Sequence, residues 1–236
     1  QVAQDFVLHY SRAWETGKVM LVCIDKVTCV RMHGLILKYW SQRIVDLEKE
    51  LNLAADEQDE LYRRRQIQWM KETVAVVVVS EEQGEVDRFS KWGLDIKPHR
   101  RLIKEGIDLP ESMRSKPQFR NLQRMGLEEA FKEKENPFRI AVVCAMWLTG
   151  FDVPCLSTLY LDKPLKAHTL MQAIARANRV SEGKNNGLIV DYCGILKNLR
   201  KALATFAGQG DTGHGGGGGE VEPARPEEEL LADLAE

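Results

Sequence analysis

The chain lacks several things, and each absence narrows what it can do. No apolar run approaches the ~20 residues a membrane-spanning helix needs, so a membrane partner is not expected. Five cysteines are present but none forms a Cys-x-x-Cys pair, and most lie in apolar runs. Buried thiols in a reducing compartment are therefore expected, not a metal site or disulfides. There is no Gly-x-x-x-x-Gly-Lys-Ser/Thr loop: Gly17-Lys18 and Gly183-Lys184 lack the upstream glycine and the following hydroxyl. No Asp-Glu pair closes an apolar strand, since Asp59-Glu60 lies in a polar helical stretch, and no metal-ligand set is expected. Glu182-Gly183-Lys184 superficially resembles part of a nuclease site but lies in a polar stretch without a paired strand Asp. No secretion leader is visible and the first residue is not Met, so the chain is expected to be an internal piece of a longer protein. A strong charge excess is missing too, with a net charge of -2 over 236 residues. That balance is uneven. Residues 220–236 carry seven acids and one Arg, which leaves the remainder at +4.

What is present reads as alternating strands and helices. Phe6, Val7, Tyr10, Ala13 and Trp14 recur at helical spacing before Gly17. Residues 18–24 form a β-rich run, and Asp25 is placed to cap a helix carrying Val27, Val30, Leu35, Ile36 and Tyr39. Helix is expected over 41–72 with a break near 52–57. Within it Arg63, Arg64 and Arg65 are either a solvated face or a DNA-backbone contact. Residues 74–79, Val-Ala-Val-Val-Val-Val, have the unbroken β-branched character of a strand covered on both faces. Residues 85–118 read as loop and short helix. Their Lys97, His99, Arg100, Arg101 and Lys104 are either solvated or face DNA. A helix is expected over 121–135 from Leu122, Met125, Leu127 and Phe131, then a strand over 138–144. Further strands are expected at 157–161 and 188–190, with a helix at 166–180 between them and another at 195–206. The alternation predicts an α/β fold with a mainly parallel sheet and helices on both faces. Gly213 and Gly215–Gly219 mark a linker. The residues after it are either the start of another helical region or a disordered terminus.

The most informative stretch is 137–206. Trp147-Leu-Thr-Gly-Phe-Asp152-Val-Pro154 forms a turn. Tyr160-Leu-Asp-Lys-Pro164 follows, then His168-Thr-Leu-Met-Gln172-Ala-Ile-Ala-Arg176-Ala-Asn-Arg179, then Gly187-Leu-Ile-Val-Asp191-Tyr192. Gln172, Arg176 and Arg179 share one helical face. A carboxylate turn at a strand end beside such a face suits a phosphate-rich ligand. These segments resemble motifs V and VI of superfamily 2 helicases and translocases. More narrowly, they resemble the restriction (motor) subunit of type I restriction-modification enzymes. Lys18-Val-Met-Leu-Val-Cys23 is similar to the strand that opens that family's second motor lobe. Cys144 and Ala145 stand where helicase motif V usually has a polar residue and an acid.

The resemblance implies a RecA-like, three-layer second motor lobe over 1–207, including the helical segment 41–72, and a linker with an acidic following region over 208–236. It implies that Arg176 and Arg179 are catalytic, reaching toward ATP held by a first lobe. Gln172, Gly150 and Asp152 would be nucleotide-binding, and Thr149 and Lys163 would contact DNA. It further implies ATP and Mg2+ in the intact subunit, duplex DNA as track and target, and a first lobe and nuclease domain in the same subunit. Modification and specificity subunits would be partners, in a bacterial or archaeal cytoplasm. With half of an ATP site and no nuclease, the chain alone is expected to be inactive. Two other readings stay open: a repair or remodelling helicase of superfamily 2, and a non-catalytic interaction module of the same fold.

Overall fold

A computed structural model describes residues 1–148, 151–166, 169–170, 172–173 and 187–197, within the compact unit Gln1–Lys197. The architecture follows from five short runs of β-branched and apolar residues. These are β1 (Lys18–Cys23), β2 (Val74–Val78), β3 (Phe138–Val143), β4 (Leu156–Asp162) and β5 (Leu188–Asp191). They form one sheet in the order β2-β3-β1-β4-β5, and every pairing is parallel. The expected α/β fold with a mainly parallel sheet is therefore present. β1 is central and buried along its whole length, as its lack of polar alternation requires.

Register divides the apolar residues between two faces. Val19 pairs Ile140, and Leu21 pairs Val142 and Tyr160. All five point into the larger core, with Ala75 and Val77 of β2 beside them. Met20 pairs Ala141 and Leu159 on the opposite face. The larger core is roofed by α1 (Val2–Arg12), α2 (Lys26–Glu50) and α3 (Glu57–Glu72). Asp25 caps α2 as expected, its carboxylate accepting from Thr28 N at 2.7 Å. A 3-10 turn, Leu51–Leu53, breaks the helical segment, and Asp56 caps α3 through Asp59 N. Trp40 Nε1 donates to Met70 O at 2.9 Å, and Gln66 Nε2 to Ser11 O at 2.6 Å, so polar tips inside this layer are paired. Gly17 holds a φ of +129°, and a Cβ there would lie 2.8 Å from Cys155 O, so only glycine leads the chain into β1.

Between β2 and β3 run α4 (Glu85–Ser90), α5 (Lys97–Glu105), α6 (Glu111–Arg114) and α7 (Leu127–Lys132). The helix expected over 121–135 is shorter. A 3-10 turn, Pro117–Leu122, comes first, Arg124 adopts φ 56°, and α7 starts only after Gly126. Its apolar residues serve two separate clusters. Leu122 and Met125 close a small core with Leu109 and Met113, whereas Phe131 packs on Phe138 beneath the sheet. Among the described residues no helix is long and apolar enough to cross a membrane. Of the expected helices at 166–180 and 195–206, only 166, 169–170, 172–173 and 195–197 are among the described residues.

Candidate functional site

The crossover from β3 to β4 does not stand up at the end of a strand. It leaves the carboxyl end of β3 at Cys144 and reaches the amino end of β4 at Leu156, lying against the second face of the sheet. Its own residues dictate this. Leu148, Phe151 and Val153 are buried, and Trp147 stacks on Phe151 with centroids 4.2 Å apart and planes 19° apart. Phe131 of α7 stacks on Trp147 at 5.4 Å, and Lys132 lies over the Phe151 ring at 4.9 Å. Trp147 has φ 68°, a left-handed conformation that costs an L-residue roughly 1–2 kcal/mol. The stacked rings offset that cost. The two stacked rings flank Thr149 and Gly150 in sequence. Those two residues, Arg176, Arg179 and His168 lie outside the described residues.

Asp152 follows Phe151 directly and is exposed, four residues before the start of β4. Past β4, Leu170 and Ala173 are buried, and Ala173 shares an apolar crevice with Met20, Leu159, Trp147 and Phe151. Gln172, beside Ala173, is half-buried. Trp147 and Phe151 are thus neighbours of Ala173, next to Gln172, on one face of the sheet.

Lys163 is elsewhere. It follows β4, so the seven residues of that strand, about 20 Å of extended chain, separate it from the Asp152 end. Its ammonium donates to Cys144 O at 2.7 Å, tying the end of β4 to the end of β3 across β1. Other cations do the same for β2. Lys26 Nζ donates to Ser80 O at 2.9 Å, and Arg100 to Val79 O at 2.6 Å and Ser80 O at 2.9 Å. Arg100 also grips buried Glu85 with two bonds of 2.6 Å, which holds that carboxyl below its ordinary range. Arg100 is thus engaged in the fold, not turned toward DNA. His99 is likewise buried, edge-on to His33 at 4.8 Å. Burial first, and His33 second, bring its pKa down to about 4. In the 63–65 cluster, Arg63 pairs Asp59 and Arg64 pairs Glu60 along α3, which favours the solvated face.

Behind the carboxyl edge, Cys23, Cys29 and Cys144 are buried free thiols. The Cys144 thiol is lowered by a hydrogen bond with Cys29 and then by the Lys163 and Lys26 charges. Among the described residues no group of three His, Cys, Asp or Glu is placed to hold a metal ion.

With this geometry in view, the comparisons with known proteins are direct. Residues 100–194 match the family model described as type I restriction enzyme subunit R domain 3. A type I restriction enzyme HindI endonuclease subunit from Haemophilus influenzae is 39% identical over 173 residues. This chain belongs to the type I restriction enzyme R subunits. The HindI match covers 67% of the chain and 16% of that protein. A putative type I restriction enzyme MjaVIIP endonuclease subunit from Methanocaldococcus jannaschii is 33% identical, covering 80% of the chain and 14% of its own length. The chain therefore corresponds to a minor part of these R subunits. A solved fragment of a putative HsdR subunit of a type I restriction enzyme from Vibrio vulnificus has a TM-score of 0.46 and 16% identity. It covers 84% of this chain and 27% of that one.

Sequence reasoning missed the aromatic bracket. Its signal was Trp147 and Phe151 flanking Thr149-Gly150, with Phe131 and Phe138 upstream, but no local rule says that these rings stack. It also missed Arg124, whose left-handed backbone is invisible in a residue type that normally avoids it.

Proposed function

We propose that this chain is the second, RecA-like motor lobe of a type I restriction R subunit that couples ATP hydrolysis to movement along duplex DNA. Arg176 and Arg179 reach an ATP molecule held by a first lobe. Their guanidinium groups stabilise the charge on the transferred phosphoryl, a contribution typically of ~10³ to 10⁵ in rate. Gln172, Gly150 and Asp152 orient those arginines and the nucleotide from the turn and the following helix, and Thr149 contacts DNA, whereas Lys163, bound to Cys144 O, braces the strand ends instead. The single observation that carries this reading is the shared crevice. Trp147 and Phe151 of the turn meet Ala173, next to Gln172, so the two motifs that would form half an ATP site abut on one sheet face.

Mg2+ fits this lobe poorly, because the described residues offer no carboxylate or imidazole cluster for it. Its ligands belong to the first lobe in this reading. The intact subunit works in the cytoplasm with modification and specificity subunits and cleaves DNA with a separate nuclease domain, while this chain alone hydrolyses no ATP. The test is DNA-stimulated ATP hydrolysis by the intact subunit. Arg176→Ala and Arg179→Ala are each expected to lower the rate at least a hundredfold with nucleotide binding largely kept. A rate within twofold of the parent for both variants would leave the lobe as a binding module.

A further inference from the structure

Within the segment between β2 and β3, one stretch carries a local excess of positive charge. Over residues 97–126, seven exposed Lys or Arg side chains face three exposed acids, in a protein whose net charge is -2. Two cationic-looking residues of this stretch are already consumed: His99 is buried and uncharged near neutral pH, and Arg100 is bound to Glu85. Their burial fixes how α5 is turned. With Ile96, His99 and Arg100 facing the body, Lys97, Arg101 and Lys104 fall at i, i+4 and i+7 on the outer face, and all three are exposed.

The row continues past the helix. Gly106 ends α5 with φ +77°, and a Cβ there would lie 2.8 Å from the Arg124 carbonyl carbon and 2.5 Å from Met125 O. Arg124 N donates to Ile107 O at 3.3 Å. The backbone of Arg124 is thus clamped at the carboxyl end of α5, in the left-handed conformation, with its side chain 76% exposed. An exposed arginine held in a costly backbone state, at the negative end of a helix dipole, is a placed charge. Its nearest acid, Asp108, is 3.9 Å away, and Arg101 meets Glu105 at 3.5 Å. Both pairs are open to solvent and loose, so they yield to a stronger anion.

We propose that Lys97, Arg101, Lys104 and Arg124 form a row that grips the phosphates of one strand of duplex DNA. Seven residues of helix rise about 10 Å. The phosphates of one strand advance about 3.4 Å each along the duplex axis, so the helical part of the row spans about three phosphate steps and Arg124 extends it. The contact reads no sequence, because it reaches only the backbone. This suits a motor that must hold any DNA it moves along. The proposal rests on the DNA-motor reading above and adds the residues that hold the track.

The test uses the intact R subunit and a fluorescein-labelled duplex of about 30 base pairs, with binding followed by anisotropy at several salt concentrations. The variant carries Lys97→Gln, Arg101→Gln, Lys104→Gln and Arg124→Asn, since Asn tolerates the left-handed backbone. Its slope of log affinity against log salt is expected to fall by about three to four, near 0.9 for each charge removed. A control with Arg12→Gln, Lys38→Gln, Lys49→Gln and Lys71→Gln removes as many exposed charges from α1, α2 and α3 and keeps the parent slope. If the four-fold variant melts lower than the parent, Arg101→Gln alone reads the same effect as a slope change of about one. A parent subunit that binds DNA while the variant keeps its slope overturns the row and leaves the motor reading standing. A parent that neither binds the duplex nor hydrolyses ATP in response to it overturns both.

Discussion

Lys18 is the residue whose replacement tests the physics of this fold most sharply. It opens the central strand with its side chain buried, and its ammonium donates to Ala130 O at 2.7 Å and lies 5.5 Å from the Phe131 ring. No carboxylate is recorded in an ion pair with it among the described residues. Burial dominates, and its pKa falls from 10.5 to about 7. The unfolded chain therefore binds more protons than the folded one between pH 7 and 10.5, so stability rises with pH across that window. Complete titration is worth up to about 5 kcal/mol, of which about 4 kcal/mol stands against the fold at pH 7. Lys18→Met keeps the length and apolar stem of the side chain and removes the charge. It leaves Ala130 O without its donor, which costs about 1–3 kcal/mol. The net expectation at pH 7 is a gain of about 1–3 kcal/mol, and loss of the rise that the parent shows between pH 7.5 and 9.5. Urea unfolding of both proteins across that range reads this directly. A variant that is less stable at pH 7, with a pH dependence parallel to the parent's, would refute the reasoning. Lys18 would then stay charged in the fold, held by Ala130 O and the Phe131 ring.

The other expectations concern His99 and the aromatic bracket. His99 titrates at about 4 in the fold, so the unfolded chain protonates first as pH falls below 6.5, and about 2 kcal/mol of stability is lost by pH 4.5. His99→Leu is expected to remove that part of the acid sensitivity in urea midpoints at pH 7 and 4.5, and an unchanged difference between the two midpoints argues against it. Trp147→Ala is expected to cost about 2–3 kcal/mol from lost ring contacts. Trp147→Gly should cost less, because glycine accepts φ 68° without strain. The reverse order by thermal unfolding would mean that the left-handed backbone is not what the rings hold in place.

Much of the sheet was legible in the chain because parallel strands covered on both faces need near-continuous apolar runs, and 18–23, 74–78 and 138–143 have them, interrupted only by Lys18 and Arg139. The Asp25 cap and the break before α3 were legible because caps and breaks are local. Strand order was not. Nothing in Lys18–Cys23 states that β3 and β4 will flank it. Residues 121–135 misled for a physical reason: Leu122, Met125 and Phe131 have helical spacing, but two different cores claim them. At the site, the resemblance selected Gln172 and Asp152 and the structure set their neighbours on one face. It also moved Lys163 to the far end of β4, where its charge holds Cys144 O. Whether a cation faces DNA or a strand end depends on packing that no sequence window contains, as Arg100 and Arg101 illustrate side by side.

The central place of β1 has a consequence for how the chain is made. This strand emerges from the ribosome well before its neighbours, since Val19 pairs with Ile140 and Met20 with Leu159. The neighbours that protect both its edges are translated long after it. At roughly 5–20 residues per second, a strand that is apolar from Val19 onward waits several seconds for its partners. Its pairings are also far apart in sequence, the topology that folds slowly. The early helices α1 and α2 can shield one face of β1 in that interval, but neither edge. Molecules caught before β3 and β4 arrive therefore present an adhesive template to one another, and aggregation during synthesis should depend on translation rate more than on the stability of the finished protein.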